Sequence, residues 1–337
     1  ITAYASLGGD AVTDDILTYL PSAKTIEERH ACENTLLSRT ADPVAAAALA
    51  VAAAGAGLAC VACTHSAPAR RLVAATVFPI FDLTQRVAGD RIDVRLVLAP
   101  GLDPHDYEPR PKDVAGLSDA SLIFAVGLGL DPWAPGLARS AGAGEARVFD
   151  LGPLMDPILA PPGLIRPEPL IDPHFWTDPV RAQRAVDVIV EALSGLDPEG
   201  GPFYRERGGA VKRSIQAVHE DVSRHAGTWQ RRRLVTFHGS LFYFAARYGL
   251  QVVGVVQPVP GTEPTAQHMA ALVAELRGPD PATLFREPQM ESQLATALAR
   301  EAGVTVYEVD PMGGGPKAAS YEELVRGIAR AMDEALR

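Results

Sequence analysis

Three features of the sequence predict an α/β protein of two lobes, each a small parallel sheet flanked by helices. From residue 71 onward, short apolar runs rich in Val, Ile, Leu and Phe alternate with helical patterns, as expected of parallel strands buried on both faces. The alternation breaks once, at two successive helical stretches between residues 179 and 227. It then restarts and runs to the end of the chain, so two α/β units joined by one long helix is the economical reading.

Taken in order, LVAATVF (72–78) reads as a buried strand, and Pro79 to Val87 as a helix stopped by Gly89. IDVRLVL (92–98), ASLIFAVG (120–127) and ARVFDLG (146–152) are the next strands. Asp178 is an N-cap with Pro179 at the first helical position, ahead of an apolar stripe through Val186, Ile189, Val190 and Leu193. A second helix from about 202 to 227 carries a narrow stripe of Val211, Ile215, Val218 and Val222, as suits a helix bridging two lobes. Gly208-Gly209 is expected to weaken or kink it. Strands then follow at 233–237, 251–256, 282–287 and 304–309, with helices at 239–248, 265–277, 289–301 and 321–336. The expected domains are an N-terminal lobe (71–200), a linking helix (201–228) and a C-terminal lobe (229–337).

The chain has 337 residues, enough for two sizeable cores. Its formal net charge of -10 argues against a protein that tracks nucleic-acid phosphates. Cys32, Cys60 and Cys63 all lie in the first 63 residues, so the rest has neither a disulfide framework nor a thiolate metal site. The Ala/Gly/Leu/Val run from Val44 to Ala62 has the size of a signal-peptide core. Residues 41–70 are therefore expected to be an export or lipoprotein signal and tether, with Cys60 or Cys63 the lipidated residue. Residues 1–40 are assigned no function. The chain does not begin with Met, and these residues are expected to belong to an over-extended or truncated reading frame.

Open parallel α/β sheets bind ligands beyond the carboxyl ends of their strands. Four metal-competent residues fall at or near such ends. His105 follows IDVRLVL, His174 lies in IDPHFWTDP, His238 follows RLVTF, and Asp310 follows VTVYEV. Two belong to each lobe, so a cleft between the lobes would collect all four. Three imidazoles and one carboxylate make a full tetrahedral set that zinc accepts readily, with manganese or iron fitting if Asp310 binds through both oxygens. Pro104 and Pro173 stiffen the turns ahead of His105 and His174. His219, His225 and His268 are expected to be solvated.

With these segments in place, the chain over roughly residues 71–337 resembles the metal-binding solute-binding proteins of zinc and manganese ABC importers. The resemblance is carried by PGLDPHDYEP, DPHFWTDP, LVTFHGSLFYFAARYGL, EPTAQHMAALVAELR, LFREPQMESQLATALAREAGV and VYEVDPMGG, in the family's order and spacing. It implies His105, His174, His238 and Asp310 as ligands, two similar lobes, a rigid connecting helix, and a site between the lobes. It also implies a monomer that hands its ion to the permease subunits of an ABC importer, outside the cytoplasm, meeting the membrane only through a lipid anchor or the permease. Histidine at the third ligand position, His238, is associated in this family with zinc, and glutamate there with manganese. The segment Leu151 to Ile171 lacks the His- and acid-rich insertion of many zinc members. Glu108 and Glu287 are candidates to orient the ligand rings, and Tyr107 and Trp176 to pack the cleft wall.

The rival readings are weaker. A manganese- or iron-binding member of the same family is the first alternative. A zinc hydrolase would need an open coordination position and a general base, but a fourth protein ligand closes the set and no HExxH helix is present. Gly127-Leu-Gly129 and GGGPK (313–317) do not complete a nucleotide-binding motif. Surface adhesion, described for some relatives, would be a secondary role. The expectation is a non-enzymatic, extracytoplasmic binder of a divalent transition metal, zinc favoured.

Overall fold

The computed structural model describes residues 71–337 apart from 143–146, 162–163, 165–170, 259–261 and 291–292. The expected leader in residues 41–70, its cysteines, and residues 1–40 lie outside the described residues. Strand β1 (Arg71–Ala75) pairs in parallel with β2 (Ile92–Leu96) on one side and β3 (Ala120–Ala125) on the other, and β4 (Val148–Asp150) extends the sheet beyond β3. A second parallel sheet repeats the plan, with β6 (Gln251–Val255), β5 (Arg233–Thr236), β7 (Thr283–Arg286) and β8 (Val306–Glu308) in that spatial order. In both sheets the strand order reverses beside the first strand, which creates the crevice where open α/β sheets take ligands. In the first sheet a buried carboxylate fills that position. Asp131 accepts from Thr76 Oγ1 at 2.6 Å and from the N–H groups of Val126 and Gly127 at 2.8 Å each.

Helix α1 (Phe78–Ala88) connects β1 to β2, burying Ile80, Leu83 and Val87 against the sheet. Gly89 ends it at φ +59°, a conformation that costs glycine little. Two short helices were not anticipated from the sequence, α2 (Pro111–Ala115) and α3 (Ala134–Ser140). Each is too short to display a helical period, which is why pattern alone misses them. Helix α4 (Pro179–Leu196) starts as expected, with Asp178 Oδ1 accepting from Val180 N at 2.9 Å.

The bridging helix α5 (Gly201–Ala226) is unbroken through Gly208-Gly209, so the expected weak point is not a kink. A Cβ at Gly208 would stand 2.4 Å from Val190 Cγ2, so this glycine allows α4 and α5 to lie close together. The second lobe adds α6 (Phe242–Tyr248), α7 (Ala266–Arg277), α8 (Gln293–Ala302) and α9 (Tyr321–Leu336). The described part of helix α8 starts at Gln293, and Gln289 lies in a turn after β7 rather than in the helix.

The main core is continuous across both units. It includes Val73, Phe124 and Ile189 from the first, and Leu234, Phe244, Phe285 and Ile328 from the second. Each such side chain, fully buried, contributes about 1.5–3 kcal/mol relative to exposure. Among the described residues no helix is long and apolar enough to cross a membrane.

Candidate metal centre

Beyond β2 the chain continues pairing for two residues, Val97 N and Leu98 N donating to Ala75 O and Thr76 O at 3.0 Å each. It then enters the Asp103-Pro104-His105 turn. Asp103 Oδ1 accepts from the His105 N–H at 2.9 Å, closing a side-chain turn over the proline. The turn is pinned from behind, because Trp133 Nε1 donates to Pro104 O at 2.8 Å. Tyr107 packs its ring edge-on to Trp133 at 4.9 Å and donates its hydroxyl to Asp113 Oδ2 at 2.6 Å.

The same device recurs at Asp172-Pro173-His174, with more contacts. Asp172 Oδ1 accepts from the His174 backbone N–H at 2.9 Å and lies 2.8 Å from His174 Nδ1. Tyr243 O–H donates to Asp172 O at 2.9 Å, and Thr177 Oγ1 donates to His174 O at 3.0 Å. Trp176 is fully buried with its ring 5.3 Å from the His174 ring. Its indole N–H donates to Pro311 O at 2.8 Å, and Tyr321 O–H donates to Trp176 O at 2.7 Å.

His238 lies two residues after the end of β5. Its Nδ1 lies 2.7 Å from Glu287 Oε1, which also accepts from Ser240 Oγ at 2.8 Å. A neutral imidazole carries one proton, and a carboxylate can only accept it from the nearer nitrogen. Asp172 and Glu287 therefore place the protons of His174 and His238 on Nδ1 and turn both Nε2 lone pairs inward. Those two Nε2 atoms are 3.3 Å apart.

One ligand atom from each of His105, His174 and His238 lies within 4.8 Å of the others. His105 Nε2 is buried without a hydrogen-bond partner among the described residues. A buried lone pair without a donor is costly, and three ring nitrogens converging in this way can hold a cation. Tetrahedral zinc with Zn–N bonds of about 2.0–2.1 Å separates its ligand nitrogens by roughly 3.3 Å. The separation of His174 and His238 matches that spacing.

Charge reinforces the arrangement. Burial, then the neighbouring His174 and His238, pushes the His105 imidazole down to about 2. Burial, then His238, holds His174 well below its ordinary value. For His238, burial opposes charge, but the Glu287 carboxylate outweighs it and raises the imidazole. Burial pushes the Asp172 carboxyl up to about 7.

Asp310 does not join the three rings within that distance among the described residues. It is half-buried, and its Oδ1 accepts from Gln289 Nε2 at 2.6 Å and from the N–H groups of Met312 and Gly313 at 3.0 Å each. The two candidate orienting glutamates part ways. Glu287 holds His238, whereas Glu108 is exposed and the ring partners are Asp172 and Glu287. Asp172 was not singled out from the sequence, although the repeated Asp-Pro-His tripeptide carried the signal. The remaining described histidines are hydrogen-bonded and half-buried rather than simply solvated. His219 Nδ1 meets Tyr248 Oη at 3.0 Å, His225 Nδ1 meets Asp333 Oδ2 at 2.5 Å, and His268 Nε2 donates to Val255 O at 2.7 Å.

The family model described as zinc-uptake complex component A, periplasmic, matches residues 73–335. The chain is 28% identical to the zinc-binding lipoprotein AdcA of Streptococcus pneumoniae over 264 residues, 75% of this chain and 52% of the relative. It thus spans about half the length of that protein. It is 27% identical to the manganese-binding lipoprotein MntA of Halalkalibacterium halodurans over 229 residues, 67% of this chain and 73% of the relative. The crystal structure of a ZnuA deletion mutant with zinc bound superposes with a TM-score of 0.70 at 26% identity, covering 80% of this chain and 98% of the other.

Proposed function

We propose, from the premise that this chain belongs to the family of periplasmic zinc-uptake complex component A, that it captures zinc outside the cytoplasm and delivers it to an ABC-type permease. The observation that carries this reading is the inward convergence of His105, His174 and His238, two of them with Nδ1 held by a carboxylate. Asp310 completes the set with one oxygen when the ion binds. Three nitrogens favour zinc over the harder manganese, which prefers oxygen. The manganese reading stays as the rival, because relatives of both kinds share the fold.

In this reading residues 71–200 and 229–337 are the two lobes, 201–228 links them, and the segment 41–70 exports and tethers the chain. The protein acts as a monomer and as a carrier without turnover, because four protein ligands leave zinc no open position for a reacting water. His238→Ala is expected to lower zinc affinity by about 100-fold or more, since losing a ligand exceeds the usual 10–100-fold cost of losing a ligand's partner. Competition titration of zinc and manganese against a chelator measures both this loss and the preference. Near-wild-type zinc binding by His238→Ala would refute the ligand set, and tighter manganese than zinc binding would move the assignment to the rival.

A further inference from the structure

We propose that Gln289 is a specificity-determining positioning residue: by donating its amide N–H to Asp310 it limits that carboxylate to one-oxygen ligation and so favours four-coordinate zinc over manganese. The inference rests on the reading of Asp310 as a ligand. Strand β7 lies between β5 and β8 in the second sheet. The loop after β7 therefore stands between His238, at the end of β5, and Asp310, at the end of β8.

Two residues of that loop reach in opposite directions. Glu287 Oε1 is 2.7 Å from His238 Nδ1, and Gln289 Nε2 is 2.6 Å from Asp310 Oδ1. Pro288 joins them and restricts the backbone, so the two holders are set as a unit. Asp310 Oδ1 takes two further N–H groups, from Met312 and Gly313, both in its own turn. With three donors already on Oδ1, an ion there would be a fourth partner, so the metal is assigned to Oδ2; without Gln289 the two turn amides leave a third place open on Oδ1.

Of these three donors, only Gln289 comes from another strand's loop. It fixes the carboxylate plane relative to the sheet, which the two turn amides cannot do. Gln289 Oε1 is buried without a partner among the described residues, so no second hydrogen bond there competes for the amide's orientation. One oxygen beside three imidazoles completes a tetrahedral zinc set. Manganese prefers more oxygen ligands and gains from a carboxylate that binds through both.

The experiment compares the wild-type chain with Gln289→Met, which keeps the side-chain length and removes the donor, by competition titrations with zinc alone and manganese alone. X-ray absorption of the zinc-loaded proteins is recorded alongside. Gln289→Met is expected to lower the zinc-to-manganese affinity ratio by about tenfold, the low end of what outer-shell partners control, and to raise the number of oxygens around zinc. An unchanged ratio with an unchanged zinc shell overturns the proposal, even if both affinities fall together. Gln289→Leu supplies the same readouts if the Met variant fails to fold. Asp310→Asn is measured in parallel. Undiminished zinc affinity in that variant overturns the reading of Asp310 as ligand and this inference with it. A loss in Asp310→Asn with an unchanged ratio in Gln289→Met overturns the inference alone.

Discussion

At the scale of single residues, the Asp-Pro-His tripeptide does more than stiffen a loop. Proline narrows the backbone, and the aspartate two positions ahead of each histidine closes the turn, at 2.9 Å in both Asp103–His105 and Asp172–His174. At Asp172 the same oxygen also holds the imidazole, at 2.8 Å from Nδ1. His105 and His238 were legible in the sequence because they follow strands, and His174 because it shares the Asp-Pro-His tripeptide with His105. Their hydrogen-bond partners were not, because Glu108 and Glu287 look alike in sequence and only one of them is buried. Asp172→Ala is expected to lower zinc affinity by about 10–100-fold, as loss of a ligand's partner does, while the three ligands remain. Competition titration checks it, and an unchanged Kd would show that Asp172 only shapes the turn.

At the scale of elements, most strands and helices fall where the periodicity puts them, because alternating buried runs and amphipathic stripes are written locally. Helix α9 covers residues Tyr321–Leu336 as expected, and α4 begins at Pro179 behind its Asp178 cap. The misses are α2 and α3, too short for a period, and Gln289, which lies in a turn rather than in α8. Gly208-Gly209 reads in sequence as a weakness, yet the helix runs through it, since packing against α4 outweighs a propensity cost of about 1 kcal/mol per glycine. A methyl at Gly208 would meet Val190 Cγ2 at 2.4 Å. Gly208→Ala is therefore expected to destabilise the protein by about 1–3 kcal/mol through overpacking, despite the better helix propensity of alanine. Urea unfolding measures this, and a stabilised variant would mean that α4 and α5 can separate at little cost.

At the scale of the molecule, the two sheets are tied together around the candidate site. Trp176 donates to Pro311 O at 2.8 Å, and Arg247 grips Asp178 with Nε and a terminal nitrogen at 2.8 Å each. Arg86 donates to Glu322 Oε2 at 2.7 Å. The site's response to pH belongs to this scale, because it follows from burial by the whole fold. His105, at about 2, and His174, well below its ordinary value, stay neutral down to acid pH. His238 is raised above 6.5, so it gains its proton first as pH falls, and a protonated Nε2 cannot bind metal. Zinc affinity is accordingly expected to be flat well above the raised His238 value and to fall as pH drops through it. At roughly pH 5.5 zinc uptake should release about one proton, from His238, against nearly three for imidazoles of ordinary pKa near 6.5. Calorimetry in buffers of different ionisation enthalpy counts them, and a release of three would contradict the burial of His105 and His174.

The sequence by itself determined the alternation of strands and helices, the bridging helix, the lack of any cysteine after residue 63, and the kinds of ligand available. Each is a local or compositional property, readable in windows of a few residues. Tertiary structure decided which nitrogen of each imidazole faces inward and which carboxylate turns it there. It also decided that Asp310 is held through Oδ1 by Gln289 and by the amides of its own turn. Glu287 lies 49 positions from His238 and Gln289 lies 21 from Asp310. These contacts exist because β7 is inserted between β5 and β8, and strand order is a choice among packings that periodicity does not encode.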